Sequence, residues 1–500
     1  MSPLRSEASR TGVPRARPVA AAALALLAAG CAVGPNYERP AVDVPPSFRF
    51  DDGRSTEAAA RELVNAPWWS LLQDPALDAL IEEGLANNKD LAIAAARVDA
   101  FYGAYGSTRS GLFPQVGAEV VGSRQRFTEH GGGAALCRNP SNSVQFDAFA
   151  SWELDLFGRL RRLSEAARAD LLGSEAGRRA AVLSLASAVA TGYVNLRALD
   201  RQLAISQDTV RSRSDALVLF EKRYAGGVIS ELELNQARSE YAVALASVPN
   251  FERQIAQQEN ALSILIGRNP GPIARGRPIE ELTLPAVPAG LPSELLERRP
   301  DIFEAEQALV AANARIGAAR ALYFPSISLT GLLGGASTSL NGLFDSAGRI
   351  WSYAGSLSGP LFTGGNIAGQ VYTAEAQHRQ ALVSYQQAIQ AGFRDVDDAL
   401  VGVRTSRDRI DAQGMQVQAL RGYSTHARSR YETGYSSYLE VLDAERSLFG
   451  AELQYTQDLA DTFVQVITLY KALGGGWVDV ADARAPHPLA DPQGTPPVFP

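Results

Sequence analysis

The chain repeats itself. Arg223-Tyr-Ala-Gly-Gly-Val-Ile-Ser-Glu-Leu-Glu-Leu-Asn-Gln-Ala-Arg-Ser239 lines up with Arg430-Tyr-Glu-Thr-Gly-Tyr-Ser-Ser-Tyr-Leu-Glu-Val-Leu-Asp-Ala-Glu-Arg446 at an offset of 207, with seven of seventeen positions identical. The same offset brings Gly267 onto Gly474, each closing a helical stretch. Slightly different offsets bring Arg109, Phe113 and Pro114 onto Arg320, Phe324 and Pro325, and Leu156-Phe157 onto Leu361-Phe362. Four anchors in one order are a duplication rather than chance. Any fold for this chain must therefore use one supersecondary unit twice.

Each unit reads as helix, two strands, long helix, turn and returning helix. The first helix spans roughly 75–110 and its counterpart 301–323, and Pro114 and Pro325 end these patterns. Over 143–155 the residues alternate. Val144, Phe146, Ala148, Ala150, Trp152 and Leu154 point one way; Gln145, Asp147, Ser151, Glu153 and Asp155 point the other, with Phe149 the one apolar residue on the polar side. Trp351, Tyr353, Gly355 and Leu357 alternate with serines and Ala354 in the same manner, and 115–123 and 326–333 are weaker partners. Such strands suit a tilted bilayer crossing with a wet lumen behind it, although a soluble hairpin with one buried face alternates likewise. A membrane barrel needs about eight strands at least. A barrel thus requires two, three or four copies of this chain.

The stretches 158–224 and 366–431 contain no proline. Continuous helices of that length would run roughly 100 Å, far beyond the globular average, so they read as coiled-coil-like rods. Each turns at a glycine-bearing loop and returns as a shorter helix, over 229–266 (with Pro249 expected to kink it) and 436–473. Six prolines between 269 and 292 mark a linker. The proline-bearing tail after 476 reads as disordered.

The first thirty residues read as an export signal: Arg15 and Arg17 precede an apolar run from Val19 to Ala29. That run is shorter than the roughly 20 residues a membrane helix takes. Leu27-Ala28-Ala29-Gly30-Cys31 looks like a bacterial lipobox, whose cysteine receives a diacylglycerol on its thiol and then a fatty acyl group on its freed amine. Ala32 follows, where an Asp would signal inner-membrane retention, so outer-membrane delivery is the expectation. Cys137, in a Gly-rich stretch, is the only other cysteine, which leaves no intramolecular disulfide. Past Cys31 there is no uninterrupted apolar run of 18 residues, so any crossing falls to β-strands. The organisation is a signal over 1–30, an acylated segment 31–74, repeats over 75–268 and 293–476 separated by the linker 269–292, and a tail 477–500.

Composition excludes several functions. The net charge of −7 becomes about −10 once Arg5, Arg10, Arg15, Arg17 and Glu7 leave with the signal, so nucleic acid is not a partner. His130, His378, His426 and His487 are scattered, and no HExxH, paired CxxC, P-loop or nucleophile elbow is present. The reading is therefore not an enzyme, with no cofactor beyond the acyl groups on Cys31. Methionine occurs only at 1 and 415, which disfavours a copper path.

Three motifs carry a family resemblance. Ser151-Trp-Glu-Leu-Asp-Leu-Phe-Gly-Arg159, Leu291-Pro-Ser-Glu-Leu-Leu-Glu-Arg-Arg-Pro-Asp-Ile302 and Gly359-Pro-Leu-Phe-Thr-Gly-Gly365 resemble signatures of the TolC/OprM-type outer-membrane factors, and within them the NodT-type lipoproteins that serve RND efflux pumps. The resemblance covers 31–476. It implies a membrane α+β fold: a homotrimer with a twelve-stranded outer-membrane β-barrel, four strands per protomer, continued by a long periplasmic α-helical barrel. It also implies a periplasmic adaptor and an inner-membrane RND transporter as partners, besides outer-membrane lipid. On this reading Gly227, Val228, Ser230, Gly434, Tyr435 and Ser437 match the adaptor-contacting tips. Leu439 and Asp443, four apart and so on one helix face, match the closed periplasmic gate, with Glu440 a weaker candidate. The implied role is the passive exit duct of an efflux pump for drugs or other small toxic compounds. The alternatives are the channel of a type I secretion or metal-export system, and a lipid-anchored coiled-coil scaffold without a pore.

Overall fold

The computed structural model describes residues 32–50, 67–126, 128, 140–285, 296–474 and 477–489. Cys31, Cys137 and His130 lie outside them. In chain order the principal elements are α1 (Pro75–Asn87), α2 (Lys89–Ser110), β1 (Gln115–Gln125), β2 (Ser141–Leu154), α3 (Arg159–Ala225), α4 (Glu231–Leu265), α5 (Pro300–Ala321), β3 (Ser326–Ser337), β4 (Arg349–Ser358), α6 (Asn366–Glu432), α7 (Tyr438–Leu473) and α8 (Trp477–Asp482). From α2 to α4 and from α5 to α7 the same unit runs twice.

The four strands form one antiparallel sheet in the order β1-β2-β3-β4. Register sorts its faces. Val120 pairs with Phe146, Trp152 with Leu329, Leu333 with Trp351 and Gly331 with Tyr353, so one face is apolar along its middle, with Arg124, Asn142 and Arg349 only at its end. Val116, Val120, Leu333, Trp351, Tyr353 and Leu357 are all exposed on it. A water-soluble sheet would cover such a face; a barrel wall turns it to lipid. The other face carries Glu119 opposite Asp147, Ser151 opposite Thr330, and Ser328, whose hydroxyl lies 2.6 Å from that of Ser356. Phe149 sits on this polar face, its ring over Gly117, where a Cβ would come within 2.5 Å of it. Among the described residues both outer strands, β1 and β4, have a free edge, the arrangement a protomer needs if its neighbours are to continue the sheet.

Below the sheet the helices form a wall. At its upper level the neighbours are α2–α3–α5–α6, and at its lower level α4–α3–α7–α6. The 67-residue helices α3 and α6 therefore run the full height, roughly 100 Å, while α2 over α4 and α5 over α7 fill the remaining two positions. Helix α3 includes a window apolar enough to cross a membrane by length and composition, but 72% of that window is buried inside the fold. Its apolar stripe is a packing face.

Around the middle of the wall lies the main core, and here three expectations are corrected. The tail is not disordered from 477: α8 packs down, with Trp477 fully buried and its rings 5.7 and 6.0 Å from those of Trp69 and Trp68. Arg178 of α3 clamps it, pairing with Asp482 at 2.7 Å and donating to the Pro486 carbonyl at 3.1 Å. Aromatic burial outweighs the proline-rich composition. The prolines of 269–285 likewise do not mark a free linker, because Ile273, Ile279 and Leu282 between them are buried. The Tyr193 hydroxyl, donating to Asp74 at 2.7 Å, accepts the Gly276 N–H at 2.8 Å, and Asp74 accepts that of Arg277 at 3.1 Å. Finally, the helix read over 75–110 breaks at Asn88, whose side chain caps α2 through Leu91 N–H (3.0 Å) and donates to the Leu265 carbonyl (2.8 Å).

A strap over 32–50 descends one side of the wall. It starts at the foot of the sheet, where Val33 N–H donates to the Phe157 carbonyl at 3.0 Å, and Gly34 lies against Gly317, where a Cβ would stand 2.4 Å from the Gly317 Cα. Tyr37 and Arg39 both reach Glu306, at 3.0 and 2.6 Å. Arg49 N–H then meets Asp397 at 2.9 Å.

Candidate functional site at the helical tips

At the end of the wall far from the sheet, the repeat produces two matched turns. Gly227 (φ +70°) follows α3 and Gly434 (φ +80°) follows α6, in the left-handed region where a side chain is strained. The N–H of Val228 reaches back to the Arg223 carbonyl (2.9 Å) and that of Gly227 to Tyr224 (2.9 Å); Tyr435 to Arg430 (2.8 Å) and Gly434 to Tyr431 (3.0 Å) repeat the pattern. This is the Schellman arrangement, which satisfies the last carbonyls of each helix. It leaves Val228 and Tyr435 at the apexes, 74% and 82% exposed.

The returning helices start differently. Ser230 and Glu233 form a closed capping box on α4: Ser230 Oγ accepts Glu233 N–H at 3.3 Å and Glu233 accepts Ser230 N–H at 2.8 Å. Ser437 and Glu440 repeat the spacing on α7, yet Ser437 makes no side-chain cap, and Glu440 instead faces Arg430 at 3.7 Å.

A small apolar core binds the two hairpins together. Phe220 and Tyr438 are 4.1 Å apart by ring centroids, and Tyr431 lies 5.3 Å from Tyr438. Burial, with Glu445 adding to it, pushes the Tyr438 hydroxyl up to about 12. Arg223 donates to the Tyr431 hydroxyl at 2.7 Å and lies over its ring. The sequence shows Arg223 and Arg430 only as the matched first residues of the repeat and gives no sign of this cross-link. The signal available was the repeated Arg-Tyr pair, but the partner is in the other repeat.

Leu439 and Asp443 come together with Leu442 and Arg446 of α7 and Gln236, Ser239 and Glu240 of α4 around a groove of 170 Å³. Leu439 is 60% exposed, and among the described residues Asp443 pairs with Arg446, at 3.3 Å on its own helix. An exposed apolar residue beside an exposed carboxylate, on a face turned from the core, is suited to meeting symmetry mates rather than to chemistry. No group of three His, Cys, Asp or Glu that could hold a metal occurs among the described residues.

Two stretches, 80–268 and 291–475, match the family described as outer membrane efflux protein. The chain belongs to this family. It is 38% identical over 461 residues to the cation efflux system protein CusC of Escherichia coli, covering 91% of this chain and 97% of that one. It is 36% identical to the solvent efflux pump outer membrane protein SrpC of Pseudomonas putida, covering 90% and 97%. The open-state crystal structure of the MtrE outer membrane channel of Neisseria gonorrhoeae superposes with a TM-score of 0.81 at 35% identity, covering 89% of this chain and 99% of that one. The sheet and the wall are accordingly one protomer's share of a trimeric outer-membrane channel that extends into the periplasm. Three protomers give twelve strands, which selects among the two, three or four copies that strand counting allowed.

Proposed function

We propose that this channel is the exit duct of a tripartite RND-type pump, passively conducting drugs or other small toxic compounds, with a periplasmic adaptor and an inner-membrane transporter as partners. The observation that carries the reading is continuity: a lipid-suited strand wall passes directly into helices long enough to cross much of the periplasm. Gly227, Val228, Ser230, Gly434, Tyr435 and Ser437 then form the surface for the adaptor, and the exposure of Val228 and Tyr435 supports that role. Leu439 and Asp443 form the gate, three of each meeting at the threefold axis, where a ring of carboxylates favours cations. Glu440, engaged with Arg430, serves the tip rather than the bore. Cys31 carries the lipid. Its neighbour Ala32 lies against Gly158 at the foot of the sheet, at a depth that suits acyl chains in the inner leaflet of the outer membrane.

Deleting the gene and testing susceptibility to drugs, detergents and metals is the direct test. Sensitisation to several organic agents supports the reading, and unchanged susceptibility opposes it. Metal export is a second reading, favoured by the identity with CusC, a cation efflux system protein; sensitisation to metal cations alone would support it. For the gate, Leu439→Ala with Asp443→Ala is expected to raise single-channel conductance in planar bilayers. Conductance equal to wild type would remove these residues from that role.

A further inference from the structure

The helical wall has two faces, and its residues tell them apart. On α5, Glu306 holds the strap, while Glu304, two residues away and so roughly 200° around the helix, points to the opposite side. On α3, Val182, Ala186, Val189 and Tyr193 share the face packed into the main core with the tryptophans. Asp170, Ser174 and Gly177 share the reverse face. The strap, α1 and α8 all lie on the first face. Elements of that bulk would fill the bore if they stood on the concave side, so the reverse face lines the lumen.

On that lumenal face α2 and α5 stand as banks on either side of α3, leaving a trough of 810 Å³. Its floor is low because α3 places Gly173, Ser174 and Gly177 there. Ile93 and Phe101 of α2 border it and are 59% and 36% exposed, an apolar surface turned to water. Its fixed charges are mostly spent: Asp170 pairs with Arg315, and Arg178 with Glu175 at 2.8 Å and Asp482. Glu304 and Asp90 against Arg97 leave a small negative excess. Burial, and Asp301 nearby, hold the Glu304 carboxyl above the ordinary glutamate range, with Arg97 offsetting this in part. Size, an apolar bank and a few polar groups are the attributes of a small-molecule site.

We propose that this trough is a lumenal holding site for amphipathic organic cations, the apolar body resting on Ile93 and Phe101 and the charge beside Glu304. It rests on the duct reading and deepens it, because cargo would then pass along the bore by way of a weak site in each protomer rather than through bulk water alone. Ala308, exposed on the α5 bank, offers a way to fill the trough without disturbing the core.

The test uses wild-type trimers in phospholipid nanodiscs, with ethidium as the probe and fluorescence polarisation as the readout. Saturable binding is expected, weakened roughly fivefold or more by Ala308→Phe, the factor for losing about 40 Å² of apolar contact. Glu304→Gln should weaken it by about twofold to fivefold, as for a partly exposed ion pair. Ile93→Ser, at an exposed position, repeats the test should Ala308→Phe not assemble into heat-resistant trimers. Wild-type trimers that conduct but bind no ethidium would overturn the site and leave the duct standing. Equal affinity in wild type and the assembled variants would also overturn it. Trimers that do not conduct would sink the duct and the site together.

Discussion

Tyr431→Phe removes one hydrogen bond at a place where the structure makes its effect calculable. The Tyr431 hydroxyl accepts from Arg223 at 2.7 Å, joining the α6–α7 hairpin to the α3–α4 hairpin. Any opening that swings one hairpin from the other has to break this bond. A hydrogen bond from a charged donor contributes about 1.5–3 kcal/mol when well buried. Arg223 and Tyr431 are only half-buried, and phenylalanine keeps the ring beneath the guanidinium, so the net loss is about 1 kcal/mol per protomer. That is roughly fivefold in the open-to-closed ratio if protomers move singly, and about a hundredfold if three open together. The measurement is the open fraction of single channels in planar bilayers, with heat-resistant trimers confirming assembly. An open fraction within about twofold of wild type, or below it, would refute the claim that this bond holds the tips closed.

Other consequences follow from the core and the caps. Trp477→Ala empties a fully buried site with two ring contacts, and should cost about 3–5 kcal/mol; a thermal midpoint unchanged from wild type would return the tail to a bystander. Ser230→Ala breaks a closed capping box and should cost about 1 kcal/mol, whereas Ser437→Ala, which loses no side-chain cap, should cost only a few tenths; equal losses in denaturant unfolding would contradict the asymmetry. Burial raises the Asp301 carboxyl, but the hydrogen bond and charge of Arg299 outweigh it and hold the group below its ordinary value. Burial is likewise outweighed at Glu259, by Arg275 and the Ile273 N–H. A depressed carboxyl contributes stability above its unfolded value, near pH 4, and loses it as pH falls through the folded one. Thermal stability should therefore decline below about pH 4, and Arg299→Gln should flatten that decline.

The long-range plan of the molecule was legible because it is written in period and repetition. Alternation at 143–155 and 351–358 set out two strands, absence of proline set out α3 and α6, and Gly227 and Gly434 marked the turns. What escaped was packing between segments distant in sequence. Nothing local distinguishes Trp477 in a proline-bearing tail from a solvated tryptophan; its partners, Trp68 and Trp69, lie some four hundred residues earlier. Asn88 reads as one polar residue on a helix until Leu265 supplies an acceptor. Ile273 and Ile279 read as spacers between prolines until Asp74 and Tyr193 fix the backbone between them. At the tips, single residues were found and their cross-link was not, since Arg223 finds its tyrosine in the other repeat.

Duplication makes the difference between the two tips informative. Both turns use the same Schellman closure and both returning helices open with Ser-x-x-Glu, so equal rigidity is the starting expectation. In the first hairpin the glutamate stays on its own helix and closes the box. In the second, Glu440 leaves the cap for Arg430 across the turn, and the Glu440 N–H donates to the Ser437 carbonyl at 3.2 Å instead of to the Ser437 side chain. The hairpin with the weaker start is also the one that carries Leu439 and Asp443, one and five residues into α7 beyond Tyr438. A helix start without a side-chain cap can exchange its partners with water or a docking helix at little cost in free energy. If Leu439 and Asp443 gate the channel as proposed, the unequal caps predict that α6–α7 moves while α3–α4 stays fixed, with Arg223–Tyr431 as the bond between them.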